Sequence, residues 1–191
     1  MRYKPEHKAE TRKRIVEDAA RRFRDEGVTG AGVAKVMRDT GLTHGGFYKH
    51  FGSKNDLLVE SIGKAFREMG DRLVRVAKQA PPGAAWKAVV TEYLGLDHCN
   101  HRENGCPLAA LAPELARSEP EIKNRIVGEM VSYKDQLVQW MPGRRAVDRE
   151  RTFFVIFSAM IGAVEIARMI PDPIARQRVL TQTRDFLLNS F

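Results

Sequence analysis

No stretch of this 191-residue sequence alternates apolar and polar residues with the period of two that a half-buried strand requires. Its apolar residues recur instead at three- and four-residue intervals, which points to an all-α fold of about nine helices. Ile15, Val16, Ala19, Ala20 and Phe23 mark a first helix, with Gly27 placed to end it. Val33, Val36 and Met37 suggest a short second helix stopping at Gly41, and a very short third helix should end near Phe51 with Thr43 as its N-cap. Ser53 and Asp56 form a capping-box pattern that opens a long fourth helix. "APPG" at 80–83 breaks the chain, after which Trp86, Val89, Val90, Tyr93 and Leu94 trace a fifth helix. The segment 96–105 has no periodicity and reads as a loop. Further helices are expected within 106–116, 120–141, 146–170 and 173–189.

A hydrophobic content of 43% is enough for a sizeable core, but the net charge of +8 is unevenly spread. Residues 1–55 hold 13 Lys and Arg against 7 Asp and Glu, whereas 56–191 hold 19 against 17. A basic excess confined to the first quarter suggests a polyanionic partner. The longest uncharged run, Thr152–Val164, is shorter than the roughly 20 residues a membrane-spanning helix needs. No membrane contact is therefore expected. The N-terminal residues lack the apolar stretch of a secretory signal, so a cytoplasmic protein with Cys99 and Cys106 as thiols is expected.

The stretch "GLTHGGFYKHFGSKNDLL" at 41–58 concentrates the chemistry. Gly45 and Gly46 would each cost about 1 kcal/mol relative to alanine in an ordinary helix interior, so another requirement must favour them. Two short helices joined by a Gly-containing turn and braced by a third form a helix-turn-helix, and glycines there let the second helix approach DNA closely. His44, Tyr48, Lys49 and His50 offer donors to phosphates and base edges, while Phe47 and Phe51 can anchor inward.

Residues 40–58, "TGLTHGGFYKHFGSKNDLL", resemble the signature of the TetR family of bacterial transcription regulators. The likeness is strong over about 8–60, and helix count and order remain consistent with it to the C-terminus. It implies that Tyr48 and Lys54 contact phosphates, that Thr43 caps the recognition helix and touches the backbone, and that His44, Gly45, Gly46 and His50 lie along the groove. Met37 and Gly46 depart from the residues usual at their positions. The division implied is a helix-turn-helix domain at 1–52 and a ligand-binding and dimerisation domain at 53–191. The partners implied are a double-stranded DNA operator, a small and largely hydrophobic effector, and a second copy of the chain. No cofactor is expected, and no nucleophile motif, phosphate loop or dinucleotide fingerprint suggests an enzyme.

The resemblance assigns the effector pocket to the middle helices, which supply Trp86, Tyr93, Leu111, Tyr133 and Trp140, with Glu114 or Glu165 available to a cationic group. It also pairs the last two helices with those of a second subunit, placing Phe157, Met160, Ile161, Gly162, Val164 and Phe186 at the interface. Two alternatives concern 98–106. His98, Cys99, His101 and Cys106 are donor types found in zinc sites, although their spacing does not match the usual paired pattern. Cys106 precedes Pro107 at a helix start, where backbone N–H groups and nearby Arg102 would favour a thiolate able to sense oxidants, with Cys99 as resolving partner.

Overall fold

The computed structural model describes residues 5–191, apart from the side chains of Pro5 and His44. Among the described residues there are nine α-helices, three short 3-10 helices and no strand. Helix α1 spans Pro5–Gly30 and buries Ile15, Ala19, Ala20 and Phe23. It kinks at Gly27, whose φ of 78° lies in the left-handed region that favours glycine. Helix α2, Val33–Asp39, ends at Thr40, whose hydroxyl donates back to the Val36 and Met37 carbonyls. Gly41, at φ 74°, turns the chain into a 3-10 helix over His44–Lys49.

Helix α3, Lys54–Gln79, is the spine. The Ser53 side chain accepts from the Asp56 N–H at 3.1 Å, as the capping pattern predicts. Leu57, Ile62, Phe66, Met69 and Leu73 are all buried along it, as α3 packs on α1 toward its start and on α4 and α7 beyond. Glycines allow the approach of α7: a Cβ at Gly70 would fall 2.8 Å from the Gln136 amide oxygen and 3.4 Å from the Tyr133 ring. The "APPG" break forms a turn with Gly83 at φ 80°, followed by α4 at Ala85–Tyr93.

The expected loop at 96–105 is instead folded into α5, Leu96–Asn100, and a 3-10 turn at Arg102–Asn104. Elements of five and three residues are too short to show periodicity. One side chain from a distant helix bonds several backbone carbonyls in and beside this segment. Arg168 donates to the carbonyls of His98, Cys99 and Ala109 at 3.0, 3.0 and 2.7 Å. Helices α6 (Leu108–Leu115), α7 (Pro120–Leu137), α8 (Ala146–Met169) and α9 (Pro173–Ser190) complete the chain.

By length and composition α8 would pass as a membrane span. Its Phe153, Ile156, Met160, Val164 and Ala167 are buried in the core, which accounts for one apolar side. The buried apolar residues form one connected cluster running from Ile15 in α1 to Leu187 in α9.

Candidate nucleic-acid interface and effector domain

Phe47 and Phe51 point into the core, as expected, with ring centroids 5.5 Å apart in a stacked arrangement. That anchoring turns the opposite side of the 3-10 helix outward. Tyr48 is 67% exposed and packs edge-on against Phe47, and Lys49 is also exposed. Gly45 has negative-φ backbone and is exposed, and a Cβ placed on it would meet nothing within 4 Å. Its glycine is therefore required neither by backbone strain nor by packing within the chain. At Gly46 a Cβ would make ordinary contact with Thr43 Oγ1 and the Met37 methyl, so the larger buried Met37 fills the space that a side chain at 46 would share.

One assignment changes, one side chain is partly engaged, and one lies outside the described residues. Thr43 occupies the N-cap position, but its side chain makes no capping bond; the cap is its carbonyl, which accepts from the Gly46 N–H at 2.9 Å. Lys54 is half-buried and donates to the Val28 carbonyl at 2.6 Å, so one of its three N–H groups is already engaged. The His44 side chain lies outside the described residues.

His50 is half-buried, and its Nδ1 has no partner within the chain. Burial, reinforced by Lys8, Arg12 and Lys49, lowers its pKa, which keeps the ring neutral and able both to donate and to accept. One residue absent from the sequence-based set holds this end of the recognition element. Arg12 donates to the His50 carbonyl, pairs with Glu60 and lies 4.2 Å over the Phe51 ring. Arg14 similarly donates to the Thr40 carbonyl at 3.0 Å. Both were visible only as members of a basic run.

Arg24 and Glu114 make two of the contacts that join this region to residues 53–191. Arg24 is buried and donates to the Ala20 and Gly105 carbonyls, each at 2.9 Å, and to Glu68 at 3.2 Å. Glu114 of α6 accepts from the Val28 N–H at 2.9 Å, and a Cβ at Gly27 would fall 2.7 Å from its carboxylate. The kink frees a backbone donor, and a carboxylate satisfies it. Glu114 is thus committed to α1 and is not the ligand-facing acid expected of it.

Residues 15–60, which include the helix-turn-helix but not Arg12 or Arg14, match the family described as "Bacterial regulatory proteins, tetR family". The helix-turn-helix segment is thus similar to that of TetR-family bacterial transcriptional regulators. It is 25% identical over 114 residues to the HTH-type transcriptional regulator LmrA of Bacillus subtilis (strain 168), a match covering 58% of this chain and 61% of that protein. The fold is shared, at a TM-score of 0.76 and 19% identity, with a TetR-family regulator from Cytophaga hutchinsonii, over 95% of each chain. It is shared at 0.68 and 16% identity with the FadR regulator of Bacillus subtilis, solved in complex with stearoyl-CoA, over 94% of this chain and 98% of that one. The family consists of regulators, not enzymes.

In the second half of the chain the expected pocket residues separate. A pocket of about 380 Å³ opens between α7 and α8, lined among others by Tyr133, Phe153, Phe157 and Ile161. Of the predicted set only Tyr133 lines it. Trp140 borders a different groove beside Pro81 and Pro82. Tyr93 and Leu111 are fully buried and Trp86 nearly so, and none of them lines either space. The helical stripe that identifies such residues marks burial, whatever they are buried against.

The 98–106 alternatives lose their premises. His98 Nδ1 donates to the Tyr93 carbonyl at 2.6 Å, and Nε2 accepts from the Cys106 N–H at 2.9 Å, so both nitrogens are used within the chain. Burial lowers its pKa to about 4. Among the described residues no three His, Cys, Asp or Glu side chains converge on a metal position. Cys106 is buried, and burial raises its pKa despite the Tyr93 hydroxyl and the backbone groups beside it. Desolvation outweighs the helix start, and Arg102 is turned away toward the Asp25 carbonyl.

The dimer assignments divide along α8 as well. Phe157, Met160 and Val164 are buried within the chain, because they occupy the face packed on the domain's own core. Ile161 and Gly162 are half-buried, and a Cβ at Gly162 would meet nothing within 4 Å. The outward apolar face consists of Val155, Ile166 and Met169, joined by Ile174 and Phe186 of α9. Of the predicted six, Phe186 is the most exposed.

Proposed function

We propose that the chain is a homodimeric, cytoplasmic repressor that binds a pseudo-palindromic operator and is released by a small, largely hydrophobic effector. Residues 1–52 form the DNA-binding domain and 53–191 the effector-binding and dimerisation domain. The observation that carries this reading is Gly45, which lacks a side chain for no internal reason, at the outward start of an element clamped by Arg12 and anchored by Phe47. A flat backbone there suits close approach to a groove. Tyr48 and Lys49 then meet phosphates, His50 faces base edges alongside His44 and Gly46, and Thr43 touches the backbone. Lys54 contributes with the donors that Val28 leaves unused.

A second copy would cover Val155, Gly162, Ile166, Met169 and Phe186, an apolar face too large to leave exposed at no cost. The Bacillus subtilis FadR structure contains a bound acyl-CoA, which supports a small-molecule effector in this fold. Glu114 and Gly105 then carry the response, because an effector that shifts α6 or the 102–105 turn strains their bonds to Val28 and Arg24. The test is titration of a selected operator by fluorescence anisotropy at several salt concentrations. Lys49→Ala should weaken binding and reduce the salt slope by about one unit. Gly162→Glu should yield monomers that lose operator binding. A dimeric Gly162→Glu protein, or parental binding by Lys49→Ala, refutes the respective assignment.

A further inference from the structure

The centre of the effector domain contains polar groups that the fold does not satisfy. Tyr93 and Tyr133 are both buried, and neither hydroxyl has an oxygen or nitrogen partner. The Tyr93 hydroxyl lies against the Cys106 thiol, which is only a weak hydrogen-bonding partner. Leaving such groups unpaired in an apolar interior is costly, and the surrounding rings make the interior apolar. Phe157 stands edge-on to both tyrosines, with centroid separations of 5.8 Å from Tyr93 and 5.6 Å from Tyr133. Phe153 stacks on Phe157 at 4.2 Å.

The pocket between α7 and α8 ends on this wall. Tyr133, Phe153 and Phe157 line it, and Tyr93 lies one ring deeper, in contact with Phe157. The two charged residues on the lining are Lys134 and Glu150, and they neutralise each other at 2.5 Å. Glu114, the acid of α6, is tied to Val28 and does not line the pocket. The pocket therefore offers no uncompensated charge to an ionic ligand. Its volume of about 380 Å³ lies near the lower end of ordinary ligand sites, roughly 300–1,000 Å³.

We propose that this pocket takes a compact, uncharged, aromatic or alicyclic molecule bearing a carbonyl-type oxygen, and that this oxygen accepts a hydrogen bond from the Tyr133 hydroxyl. The apolar part of the ligand packs on Phe153 and Phe157. The inference rests on the effector-responsive reading above and names the ligand class of that site. Cys106 serves as a packing neighbour of the tyrosines and forms no bond to the ligand. A site built to donate to one oxygen discriminates strongly against analogues that cannot accept, because its own donor is then left unpaired.

Three probes of one size test this by calorimetry on the full chain without DNA: 2-acetylnaphthalene, 2-naphthoate and 2-naphthylmethylammonium. The ketone should bind at least about tenfold more tightly than either ion, and Tyr133→Phe should weaken the ketone about tenfold while leaving the melting temperature no lower than the parent's. Cys106→Ser should bind the ketone as the parent does. Undetectable ketone binding, preference for either ion, or equal ketone affinity in parent and Tyr133→Phe overturns the proposal, and so does loss of binding in Cys106→Ser. Because no operator is present, these outcomes are independent of whether the chain proves to regulate transcription.

Discussion

Glycines do opposite work in the two halves of the molecule. At Gly45 the space a side chain would occupy is open, and the residue faces outward from a clamped recognition element. At Gly105 the same space is filled: a Cβ would lie 2.9 Å from the His98 ring and 3.0 Å from the Arg168 guanidinium. Nothing within the chain requires the first glycine, whereas packing within the chain requires the second. One half is shaped for a partner at its surface, whereas the other is shaped around an interior held by buried polar side chains.

That contrast breaks most readily in the interior. Arg168→Ala removes the donors to three backbone carbonyls and should lower unfolding free energy by about 3 kcal/mol or more in urea titration, since each deprived carbonyl costs roughly 1–3 kcal/mol. A loss below about 1 kcal/mol would mean that the 96–105 segment is held chiefly by its other contacts, among them Arg24 on the Gly105 carbonyl. Gly105→Ala should cost roughly 1–3 kcal/mol by overpacking.

The same interior should be acid-sensitive. The folded state lowers the His98 pKa from 6.5 to about 4 through burial, so the unfolded chain binds the proton more readily. Stability is therefore complete above about pH 6.5 and is lost as pH falls toward 4, by about 3 kcal/mol in all. Stability curves across that window should slope in the parent and be flatter in His98→Ala. Equal slopes would place the titration elsewhere.

The joint between the halves should respond less. Glu114→Ala leaves the Val28 N–H without its acceptor and should cost about 1 kcal/mol. It should also change how much an effector weakens operator binding, measured by anisotropy with and without ligand. An unaltered response would remove Glu114 from the coupling.

The smallest stability effect should come from the outward glycine. Gly45→Ala should leave unfolding free energy within about 0.5 kcal/mol of the parent, as for other surface changes, while reducing operator affinity. If stability falls and DNA binding is retained, the contrast between the glycines is wrong.

Legibility followed a similar division. The Phe47 and Phe51 anchors, the Ser53 cap and the breaks at Gly27 and "APPG" were readable because each is set by residues within a few positions of itself. Arg12 was not, because its targets at 50, 51 and 60 lie some forty or more residues away. Glu114 was misread for the same reason: an acid among apolar neighbours looks like a ligand contact until the donor of Val28 is brought to it across 86 residues. Phe157 and Met160 were placed at a subunit interface because a helix apolar all round does not indicate which side its own chain will cover.

The sequence by itself determined the all-α class, the helix order and the basic recognition segment, since these depend on periodicity, capping and local charge. Only the tertiary structure decided which apolar residues line a pocket and that Cys106 is a buried thiol with a raised pKa. It alone showed His98 as a neutral link between two backbone groups. Those properties depend on burial and on partners brought from distant helices, and desolvation, which governs both the thiol and the imidazole, does not exist until the chain has packed around them.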